Sequence, residues 1–173
     1  GYWMCDEGRD VYKYVNKKSR LLTTKITKGT QIEAMEAGAA MKKLAPSMKA
    51  LGDKVALVLT GQYTNEEYEA ILQTFAGEMK SKQVYHWINN PDQLNEFDGL
   101  LLRGDRNPNT QGLKAILEKN GIKSSWDDLS KKIQSGAIQT LIVAGPENQV
   151  VFPDIAEKAK LFEKVPQVIW LTA

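Results

Sequence analysis

From Thr30 onward the apolar positions fall into regular runs, and their spacing alternates between helical and strand-like. Over 31–51, Ile32, Met35 and Ala39, then Met41, Leu44, Met48 and Leu51, recur at helical intervals and predict a helix that Pro46 should kink or interrupt. Gly52-Asp53 supplies a stop. "KVALVLTG" follows as a continuous apolar run of the kind buried in a parallel strand. In "TNEEYEAILQTFAGEMK", Thr64 or Asn65 can cap a helix whose stripe is Tyr68, Ile71, Leu72, Phe75 and Met79.

"KQVYHWI" reads as a second strand, "NPDQLNEF" as a Pro-Asp turn with a short helical stretch, and "DGLLLRG" as a third strand. "TQGLKAILEKNG" is a helix ended by Gly121, and "WDDLSKKIQSG" a shorter one capped by Ser124 or Ser125 and stopped at Gly136. "AIQTLIVAG", "DIAEKAKLFEKV" and "PQVIWLT" close the series as strand, helix and strand. Strands separated by helices predict an α/β fold: a doubly wound, mainly parallel five-stranded sheet with helices on both faces, preceded by an N-terminal arm. Trp87, Trp126 and Trp170 are expected to pack the core or its edges.

Composition narrows the class without naming a function. The chain has 173 residues, 42% hydrophobic and 25% charged, which suits one globular domain with an appendage. No run reaches the roughly 18 apolar residues of a membrane helix, and no charged-then-apolar leader opens the chain. One cysteine excludes an internal disulfide framework and points to a reducing cytoplasm. The net charge of +2 is too small to argue for nucleic acid. Lys13, Lys17, Lys18, Arg20, Lys25 and Lys28 nevertheless form a basic run with no acidic residue among them, which reads as a solvated tail or as a contact for an acidic partner.

In open α/β sheets ligands bind beyond the carboxyl ends of the strands. Those ends carry Thr60-Gly61-Gln62, His86, Arg103 to Arg106 at the head of "RGDRNPNTQGL", Ala144-Gly145-Pro146 and Leu171-Thr172. The candidate crevice residues are Gly61, Arg103, Asp105, Arg106, Asn107, Asn109, Thr110 and Gly145. A helix start fed by this loop can hold an anion on its backbone N–H groups, with Arg103 or Arg106 as counter-charge. The plainer reading has Asp105, Asn107 and Asn109 satisfying a turn and a cap, since neither G-x-G-x-x-G nor a Walker sequence occurs. His86 reads as a partly buried strand-end imidazole, and Asp127-Asp128 as residues suited to a helix dipole. No catalytic carboxylate pair stands out.

Cys5 has no second cysteine to join it, so no metal site closes on this chain's own residues. Yet "WMCDEGR" with the following "YKY" resembles the segment around the fourth cluster cysteine in the molybdopterin oxidoreductase superfamily. It is most similar to the large iron–sulfur subunit of NADH:quinone oxidoreductase, respiratory complex I. "KSRLLTTK" resembles the connector after the cluster domain. "IEAMEAGAAMKKLAPSMKALGDKVALVLTG", "TNEEYEAILQTFAG", "DGLLLRGDRNPNTQGL" and "SGAIQTLIVAGPE" resemble the next domain, although the Trp of its usual W-x-E-A-L start is missing.

The resemblance implies that residues 1–29 are the end of a 4Fe-4S domain plus a connector arm, and 30–173 an α/β molybdopterin-oxidoreductase-like domain. Cys5 would be one ligand of a 4Fe-4S cluster held only by the full-length parent, with Trp3, Asp6, Gly8 and Arg9 around it. The absence of a second cysteine argues against molybdopterin guanine dinucleotide. The implied role is a non-catalytic fragment of an electron-transfer subunit, partnered by other subunits of an NADH-oxidising complex, without nucleic acid or direct membrane insertion. It would lie in the cytoplasm or on the inner membrane face through those partners. Part of the cofactor domain of a formate-dehydrogenase-like enzyme, or a free-standing nucleotide- or small-ligand-binding module, are the alternatives.

Overall fold

A computed structural model describes residues 10, 12–13, 17–18, 20–89, 93–100, 104–105, 107–123, 125–146 and 152–172. Its Cα trace divides into two compact units, with the break after Lys43. In the first unit β1 (Thr24–Lys28) and β2 (Gln31–Met35) pair antiparallel, Lys28 opposite Gln31 and Thr24 opposite Met35. The helix predicted over 31–51 therefore starts later, as α1 (Ala37–Leu51). Ile32 and Met35 share a helical interval with Ala39, but Gly29-Thr30 between two short runs is also a hairpin signal, and cross-strand pairing wins. Lys17, Lys18 and Lys25 of the basic run are exposed.

Pro46 lies inside α1 and the helix continues through it. Pro46 and Lys42 are both on the exposed side, where water can take the carbonyl that Pro46 leaves unserved.

The second unit is a mixed α/β structure whose sheet has four parallel strands among the described residues. These are β3 (Val55–Thr60), β4 (Val84–Trp87), β5 (Thr140–Ala144) and β6 (Gln167–Leu171), in spatial order β4-β3-β5-β6. All six residues of β3 are buried, as a central strand covered on both faces requires. The expected five-stranded sheet is not matched. In the "DGLLLRG" segment, Gly99 at φ +84° leaves the extended region, and the Asp98 carboxylate accepts the Leu100 N–H at 2.8 Å. The result is a bend, while 101–103 lie outside the described residues. In the "NPDQLNEF" segment, where a short helical stretch is expected, Gln93 is in 3-10 helix and leads into a tight turn in which its carbonyl accepts from Glu96 N–H at 3.0 Å, while 90–92 lie outside the described residues.

Two apolar clusters hold the sheet. On one face Leu57, Leu59 and Val84 pack with Met48 of α1, Tyr68 and Leu72 of α2 (Asn65–Leu72), and Leu113 and Leu117 of α3 (Thr110–Lys119). The end of α2 is not regular α-helix as predicted. Gln73–Glu78 makes a wide π turn, and Phe75 within it is buried against this face. On the other face Ala56, Val58, Tyr85 and Trp87 pack with Leu129 and Ile133 of α4 (Trp126–Gln134) and Phe162 of α5 (Ile155–Phe162). Trp87 centres an aromatic group, with ring centroids 5.2 Å from Phe152, 6.2 Å from Trp126 and 6.5 Å from Trp170. The three tryptophans pack as the sequence predicts.

Capping follows local chemistry. Thr64 and Glu67 form a reciprocal capping box on α2, and Ser125 accepts from Asp128 N–H at the start of α4. Asp128 then reaches across to the sheet. Its Oδ2 accepts the Tyr85 hydroxyl at 2.9 Å and pairs with Lys132 at 2.7 Å, tying α4 to the outer strand β4.

The Lys132 ammonium first, and then the Tyr85 hydroxyl, hold the Asp128 carboxyl below the usual carboxylate range. A depressed acid stabilises the fold above its unfolded pKa and loses that contribution as pH falls through the folded value. Asp128→Asn should therefore melt below the parent at pH 7. The gap should close as both are taken below about pH 4 in a series of thermal melts.

Candidate functional site

The topology places a switch point between β3 and β5, because successive connections leave these central strands in opposite directions. The chain turns there at Gly61 and Gly145. Thr60, fully buried at the end of β3, donates its hydroxyl to the Ala144 carbonyl at 3.0 Å, bridging the two strand ends. The Tyr68 hydroxyl donates to the Thr60 carbonyl at 2.7 Å and accepts the Tyr63 N–H at 3.2 Å. Burial raises the Tyr68 pKa, so it remains a neutral donor across the physiological range.

Gly145 sits at φ +106°, and a Cβ there would collide with Thr60 Oγ1. Gly61 is similar in one respect: an added Cβ would stand 2.7 Å from Asn107 Cβ. In a phosphate-binding turn such glycines admit a ligand. Here the hollows hold the chain's own Thr60 and Asn107.

The loop before α3 forms the rest of the wall. Asp105 Oδ1 accepts from Asn107 N–H at 3.0 Å, Asn107 Nδ2 at 2.8 Å and Thr110 Oγ1 at 2.8 Å. Partial burial would raise the Asp105 carboxyl, but these bonds and the nearby Lys114 outweigh it and the pKa is lowered. Asn107 is buried and exchanges bonds with the end of β4: its Oδ1 accepts Asn89 N–H at 3.0 Å and its Nδ2 donates to the Asn89 carbonyl at 3.1 Å. Asn109 caps α3 through Gly112 N–H at 3.1 Å and donates to the Tyr63 carbonyl at 3.0 Å and Asn65 Oδ1 at 2.9 Å. Its own N–H meets the Gly61 carbonyl at 2.9 Å.

The structure thus brings Gly61, Asp105, Asn107, Asn109 and Thr110 together at the ends of β3 and β4, and sets Gly145 against Thr60 at the end of β5. Their polar atoms are turned on one another and on the backbone, as the turn-and-cap reading expects. Arg103 and Arg106, the proposed counter-charges, lie outside the described residues, as do Trp3, Cys5, Asp6, Gly8 and Arg9.

No family model, curated protein or solved structure matches the chain significantly. The site therefore has to be read from its own residues.

Sequence reading misses two contributions, those of Asn89 and Asn65. Asn89 follows β4 in "INNP", and only the fold reveals it as the partner of Asn107. Thr60, one of the strand-end residues the sequence places at the crevice, is the one that ties β3 to β5. Asn65, considered only as a cap for its own helix, accepts from the cap of α3 instead. His86 is half-buried as predicted, with its pKa lowered by burial and then by Lys114. Among the described residues no three metal-ligating side chains are grouped, and no helix is long and apolar enough to cross a membrane.

Proposed function

We propose that this chain is a piece of the large iron–sulfur subunit of an NADH:quinone oxidoreductase-like complex, its α/β domain serving structure and assembly beside the electron carriers. The observation that carries the structural role is the strand-end wall. Asp105, Asn107, Asn109 and Thr110 spend their hydrogen-bonding capacity on the protein itself, and the glycine hollows are filled. A pterin dinucleotide approaching this crevice would have to displace Asn107 and Thr60. The electron-transfer context rests on "WMCDEGR", in which Cys5 stands where a cluster ligand is expected.

A 4Fe-4S cluster, when bound in the parent, would carry single electrons. Cys5 would supply one thiolate, and Arg9 a positive charge beside it. The remaining ligands would come from residues before Gly1.

The isolated chain is expected to take up no stoichiometric iron. A form extended upstream through the other ligands should bind about four irons per chain after anaerobic reconstitution and give an EPR signal on reduction. Cys5→Ser in that longer form should lose the signal. A longer form that stays colourless would sink the assignment.

A further inference from the structure

Besides the strand-end wall, the described residues form a depression of about 270 Å³, a cavity open to solvent, beside the outer strand β4, where α3 ends. Its floor is apolar: Leu117 is 4% exposed, and Ile122 packs on the same core cluster. The turn after α3 shapes it, with Ile122 N–H donating to the Leu117 carbonyl at 2.9 Å. Around the mouth stand His86, Lys114, Lys123 and Glu118. Two ammonium groups against one carboxylate leave the rim net positive. Neither lysine belongs to an ion pair among the described residues.

We propose that this cavity binds a small amphipathic monocarboxylate, its hydrocarbon on Leu117 and Ile122 and its carboxylate between Lys114 and His86. The volume lies just under the usual range for ligand pockets, which limits the occupant to a short aliphatic or single-ring acid. An apolar floor under a net-positive rim selects a molecule with an apolar body and an anionic end. Inorganic phosphate would leave the floor unused, and an uncharged alcohol would make no use of the positive rim. The proposal does not rest on the electron-transfer reading, since none of its residues belongs to the Cys5 motif or to the hydrogen-bonded network of the wall, although Lys114 also lies close enough to Asp105 to lower its pKa.

His86 is the only histidine in the sequence, so its ring resonances report the cavity without ambiguity. Burial and Lys114 keep the imidazole below its usual pKa, with Glu118 and Lys123 as the other charged groups lining the cavity. A carboxylate seated beside Lys114 offsets the repulsion, so His86 must titrate at higher pH when the site is filled, and affinity must rise as pH falls towards that pKa.

The test is an NMR titration of the whole chain with hexanoate, hexan-1-ol and inorganic phosphate. Hexanoate should move the His86 signals saturably and raise the His86 pKa, and the other two should bind at least ten-fold more weakly. Lys114→Gln, at an exposed position, should weaken hexanoate at least ten-fold while leaving resonances remote from the cavity in place. The proposal is overturned if hexanoate gives no saturable shift, if hexan-1-ol or phosphate matches it, or if Lys114→Gln binds as the parent does.

Discussion

Gly145→Ala is expected to lower the unfolding free energy by about 2–5 kcal/mol, read as a lower urea midpoint at unchanged slope. Two costs add. An L residue at φ +106° is strained wherever it occurs, and the new Cβ meets Thr60 Oγ1, which cannot retreat because Thr60 is fully buried and bonded to Ala144. The Gly145 N–H bond to the Leu171 carbonyl, 3.0 Å, survives the substitution, so the loss belongs to the side chain. Thr60→Ala removes the obstructing oxygen. It should therefore cost less in the Gly145→Ala background than alone, with a coupling of at least about 0.5 kcal/mol. Simple additivity would mean that the steric account is wrong and only the backbone strain remains.

The second large effect is expected at Asn107. Asn107→Ala strips the partner from both the Asn89 N–H and the Asn89 carbonyl, in a place where water does not readily replace it. At roughly 1–3 kcal/mol for each group left buried, the total is about 2–6 kcal/mol in chemical denaturation. Asn107→Asp separates shape from charge. It keeps an acceptor for Asn89 N–H but sets a second carboxylate against Asp105, whose Oδ1 now receives the Asn107 amide at 2.8 Å. Like charges at that spacing push one carboxyl upward in pKa. The aspartate variant should thus be most impaired at neutral pH and regain stability relative to the parent as pH falls below about 5 and one of the pair takes a proton. A pH-independent deficit would show that the two side chains do not meet.

Much of the wall was legible because caps and turns are local. Asn109 before an apolar helix, Ser125 before Trp126 and Thr64 before Glu67 each need only their neighbours, and the fold uses them as their spacing suggests. The central strand "VALVLT" was equally plain, since six apolar or small residues in a row suit only a strand covered on both sides. What the spacing could not carry was non-local. Ile32 fits a helix and a hairpin equally well until Thr27 is placed opposite it. Asn89 becomes part of the wall only when β4 lies beside β3, bringing Asn107 across a gap of 18 residues. The "DGLLLRG" segment is as apolar as a strand, but a glycine and an aspartate bend its start.

The aromatic group around Trp87 decides how these experiments will look to an observer. Three of the four tryptophans, Trp87, Trp126 and Trp170, crowd together beyond the face opposite α2 and α3. Lys158 holds its ammonium 4.2 Å from the Trp126 ring, and the Asp154 carboxylate accepts the Trp87 indole N–H at 3.1 Å. Emission from these three indoles is thus a reporter for one half of the sheet domain, less sensitive to loosening beneath α2 and α3. Trp170 is the exception, because its indole N–H donates to Pro146, the residue after Gly145, at 3.1 Å. Exciting the indoles should register Gly145→Ala directly. Asn107→Ala should lower helical circular dichroism before it dims or shifts the light.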